Sequence, residues 1–251
     1  MMELGQYLGT NAPRIASLLA QHLVLVLLTA AVAAGAGGVL GFLTSRHPLL
    51  EKPVAAASHL IQTVPRLALI ALTVPLLGMG TAPSLGIILV YAVLLVASRT
   101  AAGLRAISPD LQETARAMGL TPASILLRIQ LPLALPAAMA GVRRAAVAAV
   151  GLVTLAAFAG AGGLGQLVAE GLGQGAAGPI LAGAVPACLL ALGVDGAFAW
   201  LEHLSTPLSL GEAPLLPASR EELLRRRGRR RLAWYATAEG ALLLVGFLLL
   251  V

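Results

Sequence analysis

Six runs of about 20 mostly apolar residues constrain this chain more than any other feature. The runs lie near residues 16–43, 54–78, 84–104, 133–158, 179–203 and 232–251. A helix of about 20 residues, rising about 1.5 Å per residue, crosses a hydrocarbon core about 30 Å thick. In lipid the backbone polar groups must be satisfied within the segment itself. The sequence therefore predicts an all-α, polytopic helical membrane protein with six crossings.

The composition is also typical of a membrane protein. Apolar residues make up 58% of the chain and charged residues 11%, whereas soluble domains average about 45–50% and about 25%. The 28 glycines accompany few aromatic residues, a mixture typical of helices that pack closely in lipid. An ordinary soluble enzyme is therefore excluded.

Cysteine and histidine give no sign of a disulfide or metal site. The single cysteine, Cys188, has no internal partner and is interpreted as a small apolar packing residue. The four histidines, His22, His47, His59 and His203, are too dispersed to have the spacing of metal ligands. We therefore expect no metal site in this chain.

The distribution of basic residues predicts the orientation in the membrane. Thirteen of the 17 Lys and Arg residues fall in the connectors 44–53, 99–132 and 204–231, whereas the connectors on the opposite side contain only Arg14. Cytoplasmic loops carry the excess of Lys and Arg. The N-terminus is therefore predicted to be outside, and six crossings would return the C-terminus to the outside.

The connector between the third and fourth runs has strong local folding signals. Ser108 can cap a helix that begins at Pro109, and Gly119 suits the left-handed position that ends it. Thr121 and Pro122 repeat the same start signal. The sequence therefore predicts two short helices around a tight glycine turn on the cytoplasmic face.

The first of these helices has a two-sided pattern. Leu111, Ala115 and Met118 recur at i, i+4 and i+7 and so share one side, whereas Glu113 and Arg116 lie on another. We therefore expect a compact protrusion with an apolar ridge and flanking charge.

The same connector resembles the EAA signature of permease subunits in bacterial ATP-binding-cassette importers. The matching residues are Glu113, Ala115, Gly119, Ile129, Leu131 and Pro132, and Thr114 replaces the family's alanine. The resemblance implies that these residues, with Met118, form a coupling helix that docks in a cleft of a cytoplasmic ATPase subunit. The alternative is an amphipathic cytoplasmic hairpin without a partner.

Four further strings narrow the resemblance to one group of permeases. Residues 62–69, 75–83, 133–143 and 160–165 are similar to permeases for glycine betaine, carnitine, choline and related osmoprotectants, and about residues 15–205 are covered. Permeases for methionine share the fold and are the nearest rival. In this group selectivity rests mainly in the external binding protein.

The resemblance implies a type I importer permease fold with a five-helix core. We expect a permease domain over residues 1–205, with its coupling loop at 108–132, followed by an Arg-rich cytoplasmic linker over 206–231. Residues 232–251 are expected to form an extra C-terminal transmembrane helix. The sequence leaves open whether this helix is a bare anchor or the remnant of a fused binding domain.

No catalytic set or ATPase motif is found, so the chain is interpreted as a transport subunit and not an enzyme. We expect no bound cofactor, with ATP used by a partner subunit. The resemblance implies cytoplasmic ATPase subunits, a second permease copy or close paralogue, and an extracytoplasmic binding protein in the bacterial inner membrane. Nucleic acid is not expected as a partner. A membrane scaffold or sensor without transport is the alternative from another functional class.

Charged residues within the predicted spans are candidates for functional sites, because such residues are costly in lipid. Arg143 and Asp195 fall at similar depths in the fourth and fifth spans and are predicted to form a structural ion pair. A gate or a direct substrate contact is the alternative. Pro65 interrupts the second span, so Arg66 either lines a passage or extends to the membrane interface.

The external connector is rich in glycine over residues 160–175. A short re-entrant helix near 163–171 is predicted there, forming an outer rim where a binding protein docks. Simple close packing at a helix turn is the alternative. On the opposite side, the arginines between Arg225 and Arg231 are predicted to contact anionic lipid head groups.

Overall fold

The computed structural model describes residues 2–205, with side chains from residue 7 onward. All regular secondary structure in this part of the chain is helical, as predicted. The α-helices are α1 (Met2–Val32), α2 (Gly38–Arg46), α3 (Pro48–Thr63), α4 (Arg66–Leu77), α5 (Thr81–Arg105), α6 (Pro109–Ala117), α7 (Pro122–Ile125), α8 (Leu131–Ala156), α9 (Gly165–Gln174) and α10 (Ala177–Ser205).

Four of the first five predicted spans are confirmed, namely the first, third, fourth and fifth. Four continuous helical stretches are long and apolar enough to cross a membrane: Tyr7–Arg46, Thr81–Arg105, Pro122–Ala159 and Ala177–Ser205. Helices α3 and α4 make a fifth crossing if the bent pair counts as one span. The linker at 206–231 and the sixth span at 232–251 lie outside the described residues.

The first helix begins much earlier than predicted. The first apolar run predicts a helix only from about residue 16, but α1 starts at Met2 and runs through Pro13. Tertiary contacts explain why the local helix breakers do not end it. Tyr7 lies over Gly178 at the start of α10, and Arg14 forms an ion pair with Glu170 of α9.

The second span is broken at Pro65, as the sequence indicates. Val64 has extended backbone angles, because the proline ring disfavours a helical conformation in the residue before it. Helix α3 therefore ends at Thr63, α4 starts at Arg66, and the two axes are bent by 102°. This bend places the start of α4 beside α5 and α8.

The core is built from small residues, which allow the helices to approach closely. Ala145, Ala146 and Ala149 of α8 are almost completely buried. A methyl group added at Gly103 of α5 would lie 2.6 Å from the Cβ of Ala137 in α8. Van der Waals packing of small residues is the usual basis of helix association in membranes.

The interpretation of Cys188 as a packed apolar residue is wrong. Its side chain is exposed, whereas the preceding Ala187 is buried. Successive residues of an α-helix are separated by about 100° around its axis, so Cys188 points away from the face of α10 that packs inward.

Candidate functional site

The hairpin between α5 and α8 folds through the local signals predicted for it. The Ser108 hydroxyl accepts a hydrogen bond from the Asp110 N–H at 3.2 Å and so caps α6. The helix ends at Gly119, where φ is +83°. The Leu120 N–H donates to the Ala115 carbonyl at 3.1 Å, which is a left-handed glycine termination.

The second half of the hairpin continues into the next span instead of forming a separate helix. Thr121 caps α7, its hydroxyl accepting from the Ser124 N–H at 3.3 Å. The π-helical turn Leu126–Gln130 then connects α7 directly to α8. Pro132, at the second position of α8, has no N–H to donate to the preceding turn, which favours the wider π-helical geometry.

The residues of the EAA-like signature divide into buried and exposed sets. Glu113, Thr114 and Gly119 are exposed, whereas Ala115 is buried, at 1% exposure. Ile129 and Pro132 are half-buried, and Leu131 is exposed.

The predicted continuous ridge of Leu111, Ala115 and Met118 is therefore wrong at its middle residue. Ala115 is buried, as is Ile125 in the second half of the hairpin, and the two halves pack against each other. Leu111 and Met118 remain exposed at 42% and 70%. Of the three ridge residues, Leu111 and Met118 are therefore the two whose side chains are available to a partner.

A chain of side-chain hydrogen bonds links this hairpin to the first span. An Arg46 guanidinium nitrogen donates to Gln130 Oε1 at 2.6 Å, and Gln130 Nε2 donates to Gln112 Oε1 at 2.9 Å. Gln130 is buried, at 7% exposure. The sequence analysis missed this role, although a glutamine inside a largely apolar run was a signal, because buried amides need partners.

A second contact joins the same end of the bundle. Arg105, at the end of α5, donates to the Thr44 carbonyl at 3.0 Å and lies 2.8 Å from the Glu51 carboxylate. One arginine therefore connects α2, α3 and α5 at this end of the bundle.

A cavity of about 580 Å³ lies among α3, α4, α5, α8 and α10. This volume is within the range of small-molecule sites, roughly 300–1,000 Å³. The charged residues of its lining are Arg66, Arg99, Arg143, Arg144, Asp195 and Glu202. The sequence analysis named three of these residues but did not predict that α3, α4 and α5 join them around one cavity.

The structure brings Arg143 and Asp195 together in this cavity. Nε and Nη2 of Arg143 each lie 2.7 Å from a different carboxylate oxygen of Asp195, so the pair is bidentate. Glu202, seven residues further along α10, lies 3.3 Å from Nη1 of Arg143. Because residues at i and i+7 share one helix face, α10 presents both carboxylates to the same guanidinium. That this contact locks the two spans remains a prediction.

We expect the effects of replacing Arg143 and of replacing Asp195 on the free energy of unfolding to be non-additive. Each single substitution leaves the other charge without its partner, so the double variant should be destabilised by less than the sum of the two single effects. Because the Arg143 and Asp195 side chains are 34% and 44% exposed, we expect a coupling energy of about 1–2 kcal/mol, below that of a fully buried pair. Arg143→Gln, Asp195→Asn and the double variant would be compared by thermal unfolding in detergent. Arg144→Gln is the matched control. Additive effects of the two substitutions would reject the pairing.

Pro65 and Arg66 lie at the bend between α3 and α4. The Arg66 guanidinium carbon is 6.0 Å from the centroid of the Tyr91 ring, within the range of a cation–π contact. Arg66 also lines the cavity. This position is compatible with the predicted lining of a passage, and the role itself remains a prediction.

The glycine-rich connector between α8 and α10 is held by two polar residues of α1. Gly163 N–H donates to Gln21 Oε1 at 3.0 Å, and Leu164 N–H donates to His22 Nδ1 at 3.3 Å. With Nδ1 as acceptor, His22 Nε2 donates to the Val150 carbonyl at 3.2 Å. His22 is completely buried. Sequence analysis missed both residues, although a histidine in an apolar run usually has a specific partner.

The short helix predicted near 163–171 is present as α9, Gly165–Gln174. Three glycines before it, Gly160, Gly162 and Gly163, have positive φ angles, which a glycine adopts without steric cost. The connector thus contains the predicted helix. It is also closely packed, since a Cβ on Gly162 would clash with Nε2 of Gln21. That α9 is an outer rim for a binding protein remains a prediction.

Comparison with known proteins shows one family. Residues 33–205 match the family described as "Binding-protein-dependent transport system inner membrane component". The chain is 37% identical to the osmoprotectant import permease protein of Salmonella typhimurium, over 80% of this chain and 94% of that protein. It is 35% identical to a carnitine transport permease protein of Listeria monocytogenes, over 77% of this chain and 88% of that protein.

Two further similarities concern choline and the fold. A choline transport system permease protein of Bacillus subtilis is 32% identical over 84% of this chain and 97% of that protein. Among solved structures, the inward-facing MetNI methionine transporter superposes with a TM-score of 0.68 at 22% identity, covering 76% of this chain and 96% of that chain. An amino-acid transporter reaches a TM-score of 0.64 at 16% identity, covering 78% and 96%. These structures support the fold alone.

Proposed function

This chain belongs to the family of binding-protein-dependent transport system inner membrane components, as an importer permease of the osmoprotectant type, and on that premise we propose that it translocates a quaternary amine such as glycine betaine, carnitine or choline. The observation that carries the choice of solute is the similarity to permeases named for these compounds over most of both chains. The polar cavity among α3, α4, α5, α8 and α10 supports it, because a translocated solute needs a hydrated site within the bundle.

The cytoplasmic hairpin is the proposed contact with the ATPase subunits. Its exposed Leu111 and Met118 offer apolar anchors, and Glu113 and Arg116 flank them. The links through Gln130 and Arg46 would carry a displacement of the hairpin to α2. In this proposal ATP is hydrolysed by the partner, and the chain itself binds no cofactor and performs no catalysis.

The remaining partners follow from the family's description as a component of binding-protein-dependent systems. We propose an extracytoplasmic binding protein that delivers the solute and a second permease copy, either identical or a close paralogue. Neither nucleic acid nor a metal ion has a role. The methionine alternative is supported only by fold similarity at 22% identity, which says nothing about the solute.

The proposed topology places the N-terminus outside and the hairpin inside, because the basic connectors lie on the hairpin's side. If residues 232–251 form a sixth span, a reporter fused after Val251 should be external. A reporter fused after Ser205, where α10 ends, should be cytoplasmic and is the matched control. A cytoplasmic result for both fusions would refute the sixth span.

The proposed function is tested by uptake into proteoliposomes. The chain would be reconstituted with its ATPase and binding protein, and accumulation of labelled glycine betaine, carnitine, choline and methionine would be measured with and without ATP. We expect ATP-dependent accumulation of at least one quaternary amine and none of methionine. Methionine accumulation, or no accumulation by a fully assembled complex, would contradict the proposal.

A further inference from the structure

The polar cavity has an excess of positive charge. Four arginines line it together with two carboxylates, which leaves a formal charge of +2. Charged residues within a membrane bundle are costly, and those that remain usually serve a substrate or ion pathway. The positive sign of this excess charge is therefore expected to affect which solutes the cavity accepts.

Both carboxylates of the cavity are already engaged by one arginine. Two guanidinium nitrogens of Arg143 each lie 2.7 Å from a carboxylate oxygen of Asp195, and the third lies 3.3 Å from a carboxylate oxygen of Glu202. Among the side chains of residues 7–205, no carboxylate lies within 4 Å of Arg99 or Arg144. Their charges are therefore not neutralised by any ion pair in the described part of the chain.

The backbone positions of Arg99 and Arg144 lie close together on two packed helices, α5 and α8. A methyl group added at Gly141 of α8 would lie 2.9 Å from the Cβ of Arg99 in α5, and Arg144 follows Gly141 by about one helical turn. Both side chains are exposed and both line the cavity. The crossing of α5 and α8 therefore places in the lining of one cavity two arginines that form no ion pair with the described side chains.

We propose that Arg99 and Arg144 bind the carboxylate of the transported solute, so that the cavity favours quaternary amines with a carboxylate over those without one. This inference rests on the proposed function. A guanidinium group donates two parallel hydrogen bonds to a carboxylate, a geometry that no hydroxyl group matches. Glycine betaine and carnitine carry a carboxylate, whereas choline carries only its positive charge and a hydroxyl. Choline would therefore be repelled by the same charges that attract the zwitterions.

The test measures solute binding without the binding protein, so that the permease alone determines selectivity. The purified complex of permease and ATPase, in a neutral maltoside detergent, would be titrated with labelled glycine betaine and labelled choline by equilibrium dialysis. We expect a Kd for glycine betaine at least tenfold below that for choline. The Arg99→Gln/Arg144→Gln variant should raise the Kd for glycine betaine at least tenfold and leave the Kd for choline unchanged or lower.

Two controls separate recognition from general damage. Lys52→Gln removes one positive charge from an exposed position of α3 outside the cavity and should change neither Kd. Arg144→Lys retains the charge but not the bidentate geometry and should give an intermediate Kd for glycine betaine. If the double variant does not assemble, Arg144→Gln alone replaces it.

Several results would overturn the inference. These are equal affinity for the two solutes, no binding of glycine betaine by the unmodified complex, or an equal loss for both solutes in the arginine variant. Displacement of glycine betaine by added phosphatidylglycerol would identify a lipid phosphate as the occupant and would also overturn it. Any of these results with normal ATP-dependent uptake leaves the proposed function intact, whereas failure of uptake is a failure of the function itself.

Discussion

Replacement of Gly119 by valine is expected to lower ATP-driven uptake about tenfold or more while membrane insertion stays normal. Gly119 ends α6 with φ at +83°, a conformation that costs an ordinary L-residue roughly 1–2 kcal/mol and a β-branched residue more. A cost of about 1.4 kcal/mol corresponds to a tenfold change in an equilibrium constant. The hairpin would therefore leave the conformation in which it is proposed to dock, and substrate-stimulated ATP hydrolysis should fall together with uptake.

Gly119→Asn is the matched control for this experiment. No atom of the described residues lies within 4 Å of a Cβ placed on Gly119 apart from its own chain neighbours, so added volume by itself should be tolerated. Asparagine adopts the left-handed region more readily than other non-glycine residues. We therefore expect Gly119→Asn to retain most of the uptake. Unchanged coupling in the valine variant, or equal losses in both variants, would contradict the conformational explanation.

The hairpin was predictable because its signals are local. Ser108, Gly119 and Thr121 act on backbone groups within a few residues, and the structure shows the two caps and the left-handed turn. The burial of Ala115 was not predictable in the same way, because it depends on how α6 packs against the second half of the hairpin. Periodicity identifies one side of a helix but not which of its residues another element covers.

The candidate cavity was predictable only in part. Two charged residues in apolar spans at matching depth indicated the contact of Arg143 with Asp195, because such residues are costly unless paired. Glu202 lies near the end of its span, so the cost of burial gave no reason to assign it to the same arginine. The approach of Arg66 and Arg99 depends on the 102° bend and on the crossing of α5 with α8, which are tertiary properties.

The glycine-rich connector between α8 and α10 shows the same limit of prediction from sequence. Its glycines predicted a turn followed by a short helix, and α9 is found there. The residues that hold this connector, Gln21 and His22, are about 140 positions away in sequence and belong to α1. A single sequence provides no measure of that proximity, so their role followed only from the structure.

The packing of α10 can be tested at two of its glycines, Gly183 and Gly193, which have different tertiary surroundings. A Cβ on Gly183 would lie 2.6 Å from the Leu164 carbonyl oxygen and 2.9 Å from Cγ2 of Val168. The carbonyl belongs to the backbone that leads into α9 and cannot rotate away, so we expect Gly183→Val to destabilise the protein by about 3 kcal/mol. For Gly193, no described atom outside its own helix backbone and chain neighbours lies within 4 Å.

Gly193→Val should therefore be nearly neutral, since both glycines are interior residues of the same helix and the change in helix propensity is the same. Thermal unfolding in detergent, with the fraction of monodisperse protein as a second measure, would compare the two variants. Equal effects would mean that α10 does not pack on the Leu164 turn as the structure has it. A selective loss in Gly183→Val that also lowers uptake would make the contact between α10 and the glycine-rich connector a requirement for assembly of the transport pathway.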